Sequence, residues 1–412
     1  MVVVRIMWVR FPPSALEDKM DTVKGFKDYE GEDAIKREAI RKIIVDTFTR
    51  YGYSPVDTPI IESRQFVQGD NTDDEAVSDI FRLKDKGDRD LALRYEMTFP
   101  LKRLMQGKKL PYKRFAVGPV FRDEPVSGNR VRQFVQCDID TVGSTVKDEA
   151  ETLVVVSEIL RGIGITPTVL INNRKLMNEI LEDFGVDDKD RDQVMREIDK
   201  FDKLPEDELR DNLRPFGVEG IIDRFNEGED YFEKFESYKE VLELINYCKK
   251  YGLRIVFSPT TIRGLSYYNG SVFEIKGEGI KETITGGGSY IFNDVQCTGI
   301  SMGLDRLFLI AKLKSVQDKF LIVSLGEDDV AIKLAQKLRE QGKIVSVNYG
   351  KPSKALGYAN AYEFGKVVFV GKQEVESGVF KVKDMVSGDE SVLEMDVVND
   401  KCAETSEHPH YH

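Results

Sequence analysis

Basic side chains gather in one short stretch of the chain and could bind a polyanion. Arg122, Arg130 and Arg132 lie close together in sequence, and Gln136 and Asp140 follow them. The planar guanidinium of arginine binds phosphate oxygens in pairs and keeps its proton. These residue types suit a phosphate-rich ligand together with a small zwitterion. Charged loops are often only solvated, however, so residue types alone leave both interpretations open.

A long β-hairpin is predicted to position these side chains. Residues 115–122 and 133–141 are strand-like, and the polar loop between them contains Pro125 and Gly128, which favour turns. Because side chains alternate along a strand, the returning strand has two faces. One face carries Val135, Cys137 and Ile139 and is expected to join the core, and the other carries Gln136, Asp138 and Asp140 with Phe134.

The overall composition is that of a globular protein with an acidic balance. The 412 residues are 41% apolar and 32% charged, with a formal net charge of −12, and this length suits two or three domains. A focused basic patch can still dock phosphates on an acidic protein. The predicted patch consists of Lys102, Arg103, Lys108, Lys109, Lys113, Arg114, Arg122, Arg130 and Arg132.

Several kinds of chemistry are excluded by the positions of histidine and cysteine. The three histidines all lie in the last five residues, so a Ser-His-Asp triad, a Cys-His pair and a histidine metal site are not expected in the folded body. The cysteines form no CxxC pair, and we expect no metal site from His or Cys and no structural metal. The residues concerned are His408, His410, His412, Cys137, Cys248, Cys297 and Cys402.

No membrane segment is predicted. No apolar run approaches the roughly 18 residues that a membrane span needs. The apolar start of the chain contains Arg5 and Arg10 and is followed by Pro12 and Pro13, which does not match a signal peptide. We therefore expect a soluble, cytoplasmic protein.

The order of periodic segments predicts an α/β protein. Ile40, Ile44 and Phe48 recur at helical spacing within residues 32–51. Residues 174–251 are acidic, amphipathic and helical in pattern, and strand patterns return from residue 256, closed by a predicted helix over 302–314. Alternating strands and helices over 320–370 then predict a small, separate α/β domain with a largely parallel sheet.

Four stretches carry a resemblance to a known family. The sequence "FRDE", a short loop and "RQF" resembles motif 2 of class II aminoacyl-tRNA synthetases. "LRYEMTFPLKR", "RGLSYYNGSVFE" and "GISMGLDRL" narrow the resemblance to the histidyl-tRNA synthetase family, from about Val23 to the 390s. It implies an α+β catalytic domain with an antiparallel sheet of the class II type, a helical insertion and a C-terminal α/β anticodon-binding domain.

The domain boundaries follow the same resemblance. Residues 1–19 are expected to be a disordered N-terminal extension and residues 20–316 the catalytic domain, interrupted by the insertion at about 174–251. Residues 317–400 are expected to bind the anticodon, and residues 401–412 form a tail. "SPVDTPIIES" resembles motif 1, which builds the dimer interface in this class.

The resemblance also assigns roles to individual residues. It implies catalytic cations at Arg263 and Arg122, with Arg263 on the α-phosphate. Ser266 and Ser289 depart from the family pattern, which usually has aspartate and arginine there. ATP-binding positions are Arg122, Glu124, Arg130 and Arg306, and histidine-binding positions are Glu96, Thr98, Gln136, Asp140, Tyr267 and Tyr268.

The implied activity is the ATP-dependent ligation of L-histidine to tRNA(His) through a histidyl-adenylate. The expected partners are tRNA(His), L-histidine, ATP with Mg²⁺ and a second copy of the chain. An alternative is a non-catalytic, histidine-binding regulatory paralogue that partners ATP phosphoribosyltransferase. That paralogue lacks the C-terminal domain, and its ATP-contacting arginines are degraded. Retention of Arg122, Arg263 and Arg306 and the extra α/β domain therefore favour the enzyme.

Overall fold

The chain folds into two units, residues 1–313 and 314–412. The computed structural model describes residues 21–69, 79–126, 131–201, 203–262, 268–280, 282–313 and 319–394. Within these residues, no helix combines the length and the apolar character that crossing a lipid bilayer requires.

The described part of the first unit contains an eight-stranded sheet and a three-stranded sheet. The large sheet has the strand order β1-β5-β6-β11-β10-β9-β7-β8, and the small one has the order β2-β4-β3. The strands are β1 (Ser54–Pro55), β2 (Ile61–Ser63), β3 (Arg82–Lys84), β4 (Asp90–Leu93), β5 (Tyr112–Phe121), β6 (Gln133–Val142), β7 (Pro167–Asn173), β8 (Ile255–Phe257), β9 (Tyr268–Gly277), β10 (Thr285–Phe292) and β11 (Val295–Gly303).

The predicted hairpin is confirmed and forms part of the large sheet. Strands β5 and β6 pair antiparallel over their whole length, with Arg114 opposite Asp140 and Gly118 opposite Gln136. Strand β11 pairs antiparallel with the other edge of β6 and places Gly299 beside Asp140. Strands β10 and β9 follow in the same antiparallel manner. The centre of the sheet is therefore antiparallel, as the class II resemblance implies.

Helices cover one face of this sheet. In the first helix, Ile40, Ile44 and Phe48 are fully buried, and the helix stops before Gly52, whose φ of 78° suits glycine. The helices are α1 (Gly31–Arg50), α2 (Arg64–Gln68), α3 (Leu101–Leu104), α4 (Val146–Gly162), α5 (Arg174–Asp183), α6 (Asp188–Ile198), α7 (Glu206–Leu213), α8 (Ile221–Phe225), α9 (Tyr238–Lys250) and α10 (Leu304–Ile310), with 3₁₀ turns at Arg214–Phe216 and Glu229–Lys234.

The helical segment α5–α9 belongs to the same core as the sheet. Leu176, Val194 and Val241 from this segment lie in one buried cluster with Cys137 and Ile139 of β6. The segment is helical, as predicted, but it does not form a hydrophobic core separate from that of the large sheet.

The predicted helix over 302–314 begins too early. Met302 and Gly303 are the last residues of β11, where they pair with Cys137 and Gln136. Their backbone groups are used by the sheet, so the helix starts only at Leu304 and ends at Ile310. A strand that runs directly into a helix leaves no turn residue to mark the boundary.

The second unit contains a mixed five-stranded sheet in the order β13-β12-β14-β15-β16. The first three strands are parallel, as predicted, and β15 and β16 extend the sheet antiparallel, which the sequence analysis did not predict. The elements are β12 (Lys319–Ser324), α11 (Asp328–Glu340), β13 (Ile344–Asn348), α12 (Pro352–Ala361), β14 (Lys366–Val370), α13 (Lys372–Ser377), β15 (Val379–Asp384) and β16 (Glu390–Glu394).

Candidate active site

The face of the large sheet opposite the helices is lined with polar side chains. Cys137 and Ile139 of β6 point into the helix-covered core. Because strand side chains alternate, Gln136, Asp138 and Asp140 fall on the other face, where all three are nonetheless buried. The predicted division of β6 into a core face and a polar face is thus confirmed.

Two glycines make room on this polar face. A Cβ atom at Gly288 would come within 2.7 Å of the Tyr268 ring, and one at Gly299 would collide with the Asp140 carboxylate. Any larger residue would therefore displace Tyr268 or Asp140. These glycines of β10 and β11 let the sheet backbone approach Tyr268 and Asp140 closely.

Asp140 forms a buried ion pair across the hairpin. Its Oδ2 lies 2.5 Å from Nη2 of Arg114, and its Oδ1 accepts a hydrogen bond from the hydroxyl of Tyr290. The same Arg114 nitrogen donates to the carbonyl of Met97 at 2.8 Å. Burial and the Asp140 charge raise the pKa of Tyr290 well above its usual value, so its phenol stays a donor. Asp140 is held in place from both sides.

The predicted basic patch is therefore not a continuous exposed surface. Arg114 is fully buried against Asp140. Lys113 pairs with Glu151, and Arg103 lies 2.7 Å from Glu62. These carboxylates come from other segments of the chain, which is why counting charges within one stretch did not reveal the pairing. The sequence analysis places Arg114 in the basic patch and not in the site. Only its pairing opposite Asp140 across the hairpin could have indicated that it belongs to the site.

A second polar chain runs along the middle of the face. The side-chain amide of Gln136 donates to Ser301 Oγ at 2.9 Å, and Ser301 Oγ donates to Asp138 Oδ1 at 2.5 Å. The pKa of Asp138 is raised to about 7, mainly by burial. Arg114 and the Ser301 hydrogen bond oppose this rise, and nearby Asp140 contributes to it. Gln136 Oε1 is buried and has no hydrogen-bond partner among the described residues.

Glu96 is oriented by its own turn. Its carboxylate accepts hydrogen bonds from the backbone amides of Thr98 and Phe99 at 2.7 and 2.6 Å, just before α3. Desolvation raises the pKa of Glu96, and the two amides and the charge of Arg114 oppose that rise. Arg114 thus lies within electrostatic reach of three carboxylates, those of Glu96, Asp138 and Asp140.

Arg122 lies at the opposite end of β5 from Arg114. Its Nε donates to the carbonyl of Tyr95 at 3.2 Å, and its guanidinium carbon lies 5.2 Å from the centre of the Phe134 ring. Glu124 is 3.8 Å away, and 28% of the Arg122 side chain is exposed. The guanidinium is therefore oriented by the protein but remains accessible, as a phosphate ligand requires.

Arg306 is positioned by a neighbour that the sequence analysis did not identify. The adjacent Asp305 accepts hydrogen bonds from Tyr29 and Arg37 and from the backbone amide of Val135 at 2.7 to 2.8 Å. These contacts fix the start of α10 against β6. Arg306 itself is exposed and donates to the carbonyl of Thr283 at 2.6 Å.

The described residues thus group the predicted site residues by position on one face. Arg122 follows the end of β5 and Arg306 comes soon after the end of β11. These two strands flank β6, and their ends lie at the same end of the sheet because Gly118 and Gly303 both pair with Gln136. The buried cluster of Asp140, Tyr268 and Tyr290 lies toward the other end of the strands. Arg130, Arg263, Ser266 and Tyr267 lie outside the described residues.

The departure at Ser289 concerns the opposite face of the sheet. Ser289 donates a hydrogen bond to Glu149 of α4, and both residues are buried. Burial raises the pKa of Glu149, and the Ser289 hydrogen bond opposes that rise. Ser289 therefore contacts the helix layer, not the polar face.

Comparison with known proteins identifies the family. A family model described as histidyl-tRNA synthetase matches residues 25–307, and one described as an anticodon binding domain matches residues 319–405. The chain belongs to the histidyl-tRNA synthetase family. The predictions of this family, of its fold and of an enzyme of the histidine–tRNA ligase type are confirmed.

Similar proteins support the same histidyl-tRNA synthetase assignment. A protein from Bacillus cereus named Histidine–tRNA ligase 1 is 32% identical over 90% of this chain and 97% of its own length. A histidine–tRNA ligase from Wolinella succinogenes is 30% identical over 90% of this chain and 94% of its own length.

Solved structures share the histidyl-tRNA synthetase fold. A histidyl-tRNA synthetase from Nostoc superposes with a TM-score of 0.80 at 23% identity, over 91% of this chain and 97% of that one. A protein from Bacillus halodurans is described as an ATP phosphoribosyltransferase regulatory subunit/histidyl-tRNA synthetase. It superposes with a TM-score of 0.72 at 19% identity, over 85% of this chain and 98% of that one.

The raised pKa of Asp138 predicts a pH-dependent stability. Between about pH 4 and pH 7 the folded chain holds a proton on Asp138 that the unfolded chain has lost, so stability falls as pH rises through this window. From pH 5 to pH 8, wild type should lose on the order of 2 kcal/mol of unfolding free energy relative to Asp138→Asn.

Urea unfolding followed by circular dichroism at a series of pH values measures this difference. Asp46→Asn, at an exposed position of α1, is the matched control for the loss of one carboxyl. Parallel stability curves for wild type and Asp138→Asn would show that Asp138 is ionised throughout this range.

Proposed function

We propose that this protein ligates L-histidine to tRNA(His) with ATP, through a histidyl-adenylate. The main support is the distribution of charge on one sheet face. Buried acceptors, among them Asp140, lie at one end, and the accessible arginines Arg122 and Arg306 lie at the other. A zwitterionic amino acid with an additional polar ring and a polyanionic nucleotide would match these two ends.

The first step needs positioning and positive charge more than proton transfer. The ionised carboxylate of histidine attacks the α-phosphorus of ATP, a bond to phosphorus forms, and pyrophosphate leaves with its electron pair. No general base is required, because the nucleophile has already lost its proton. Negative charge grows on the α-phosphate, and a fixed arginine stabilises it. Arg122 is proposed for this role, together with Arg263.

The remaining nucleotide contacts are proposed from the resemblance of the residues to family motifs. Arg306 is proposed to bind beside the adenine and γ-phosphate, and Glu124 and Arg130 are proposed to contact the nucleotide near Arg122. Mg²⁺ would enter as part of the substrate, Mg-ATP, because the triphosphate carries more charge than a few arginines neutralise.

The proposed contacts with the amino acid follow from matching its hydrogen-bond donors and acceptors with those of the site. Glu96, Thr98 and Gln136 are proposed to bind the α-ammonium, and the unpartnered Oε1 of Gln136 supports this role. Asp140 and the hydroxyl of Tyr268, with Tyr267 nearby in sequence, are proposed to bind the imidazole. The ionised Asp140 would accept from a ring N–H, and the Tyr268 hydroxyl can act as donor or acceptor.

A regulatory histidine-binding role is the second candidate. The Bacillus halodurans structure described above carries both names, which makes this alternative specific. The match of residues 319–405 to an anticodon-binding domain and the presence of Arg122 and Arg306 favour the enzyme. A cytoplasmic location accords with this proposal.

The deciding experiment is histidine-dependent ATP–pyrophosphate exchange, repeated with each other amino acid. Arg122→Lys keeps the charge but loses the paired hydrogen bonds, and kcat should fall by about 10²–10³. Arg132→Lys is the matched control, because Arg132 pairs with Asp123 at 3.0 Å and has no assigned contact with ATP. Absence of exchange in wild type would favour the regulatory alternative.

The proposed domain division predicts separable activities. We propose that residues 20–316 are catalytic, with the insertion at about 174–251, and that residues 317–400 bind the anticodon. Removal of the chain from residue 317 onward should abolish tRNA charging and leave pyrophosphate exchange measurable. An equal loss of both activities would mean that the second unit supports the active site.

A symmetric homodimer is also proposed. Ile60 and Ile61 of the motif 1 stretch are 39% and 49% exposed in the single chain, next to Pro59. Adjacent exposed isoleucines favour burial against a partner. Sedimentation equilibrium at micromolar concentration should give twice the mass of one chain, and a monomer would contradict the proposal.

A further inference from the structure

A buried arginine lies beneath the proposed amino-acid pocket and has no assigned function. Arg114 is fully buried, and its guanidinium contacts Asp140 and the carbonyl of Met97 through one nitrogen, Nη2. Its Nε and Nη1 have no hydrogen-bond partner among the described residues. A buried cation held by so few contacts is costly to desolvate, so a role in folding alone accounts poorly for it.

We propose that Arg114 is a positioning residue that holds Asp140 as a fixed, charged acceptor for the ring N–H of the substrate and thereby sets the selectivity for imidazole. This inference rests on the proposed function. Arg114 fixes one oxygen of Asp140, and Tyr290 fixes the other. Each carboxylate oxygen can accept more than one hydrogen bond, so Asp140 can still accept a hydrogen bond from a ligand while it is bound to Arg114 and Tyr290.

The charge state of the cluster explains why a cation is needed. Titratable groups approach Arg114 and Asp140 from every neighbouring strand and from the turn before α3. Without a nearby cation, a buried carboxylate takes up a proton and becomes a donor, which would repel a ring N–H. The groups are Glu96 before α3, Tyr112 on β5, Asp138 on β6, Tyr290 on β10 and Cys297 on β11.

Burial disfavours the charged forms of the other groups around Arg114 and Asp140. Burial raises the pKa values of Asp138 and Glu96, and Tyr290 and Cys297 remain protonated because burial raises their pKa values. Of the nearby carboxylates, Asp140 is the one to which Nη2 of Arg114 is directly paired among the described residues, so the positive charge of Arg114 acts most strongly on Asp140.

The test uses the full-length protein in the exchange assay with four variants. Arg114→Met should raise KM for histidine by about 10–100-fold, the range expected for loss of a charged hydrogen bond. KM for ATP and kcat should change little, because Asp140 is placed on the ring and not on the reacting carboxylate. Lys113→Met is the matched control, since Lys113 precedes Arg114 on β5 but pairs with Glu151.

A substrate analogue separates selectivity from general damage. Thienylalanine has a ring of similar size without an N–H group, and it should inhibit wild type and Arg114→Met with similar constants. The preference for histidine over this analogue should therefore fall by the same 10–100-fold. Equal weakening of histidine and thienylalanine would overturn the proposal, because it would indicate a collapsed pocket.

A double variant covers the case in which Arg114→Met does not fold. Arg114→Met with Asp140→Asn removes both charges and leaves no unpaired buried ion. If Arg114 acts through Asp140, the double variant should have the histidine KM of Asp140→Asn alone. A histidine KM higher in the double variant than in Asp140→Asn would show that Arg114 does not act through Asp140 alone, and would contradict the proposal. A wild type without exchange would instead refute the proposed function, so the two failures are distinguishable.

Discussion

The alternation of side chains along β6 is the constraint on which the site depends. Cys137 and Ile139 pack into the helix-covered core, so Asp138 and Asp140 must face the other side of the sheet. A shift of one residue in register would place two carboxylates against the helices and expose the apolar pair. The energy that favours core burial therefore also determines which side chains reach the site.

The site also depends on glycines of the neighbouring strands, because their backbone lies close to the site side chains. Gly299 beside Asp140 and Gly288 beside Tyr268 lack the side chains that would push these groups away. Asp305 then attaches α10 to β6 through the backbone amide of Val135 and to the N-terminal segment through Tyr29 and Arg37. Arg306 is thus placed by a carboxylate that has no assigned contact with a substrate.

Much of this arrangement could be predicted because it depends on local patterns. Alternation alone placed Gln136, Asp138 and Asp140 on one face. The role of Arg114 could not be predicted from a run of basic residues, because its partner lies across the hairpin and its burial depends on the whole sheet. Asp305 was missed because its partners are distant in sequence, and the helix at Leu304 was placed too early because strand and helix are continuous.

Distance along the sheet separates two requirements of the proposed reaction. Arg114 and Arg122 are eight residues apart on one continuous extended segment, or about 27 Å. Charges this far apart are largely screened from one another where solvent reaches them, as it does at Arg122. Ring recognition and phosphate binding can therefore be tuned independently. In the proposed complex the α-ammonium of histidine lies between the two ends, where the buried Oε1 of Gln136, which has no hydrogen-bond partner among the described residues, is an available acceptor.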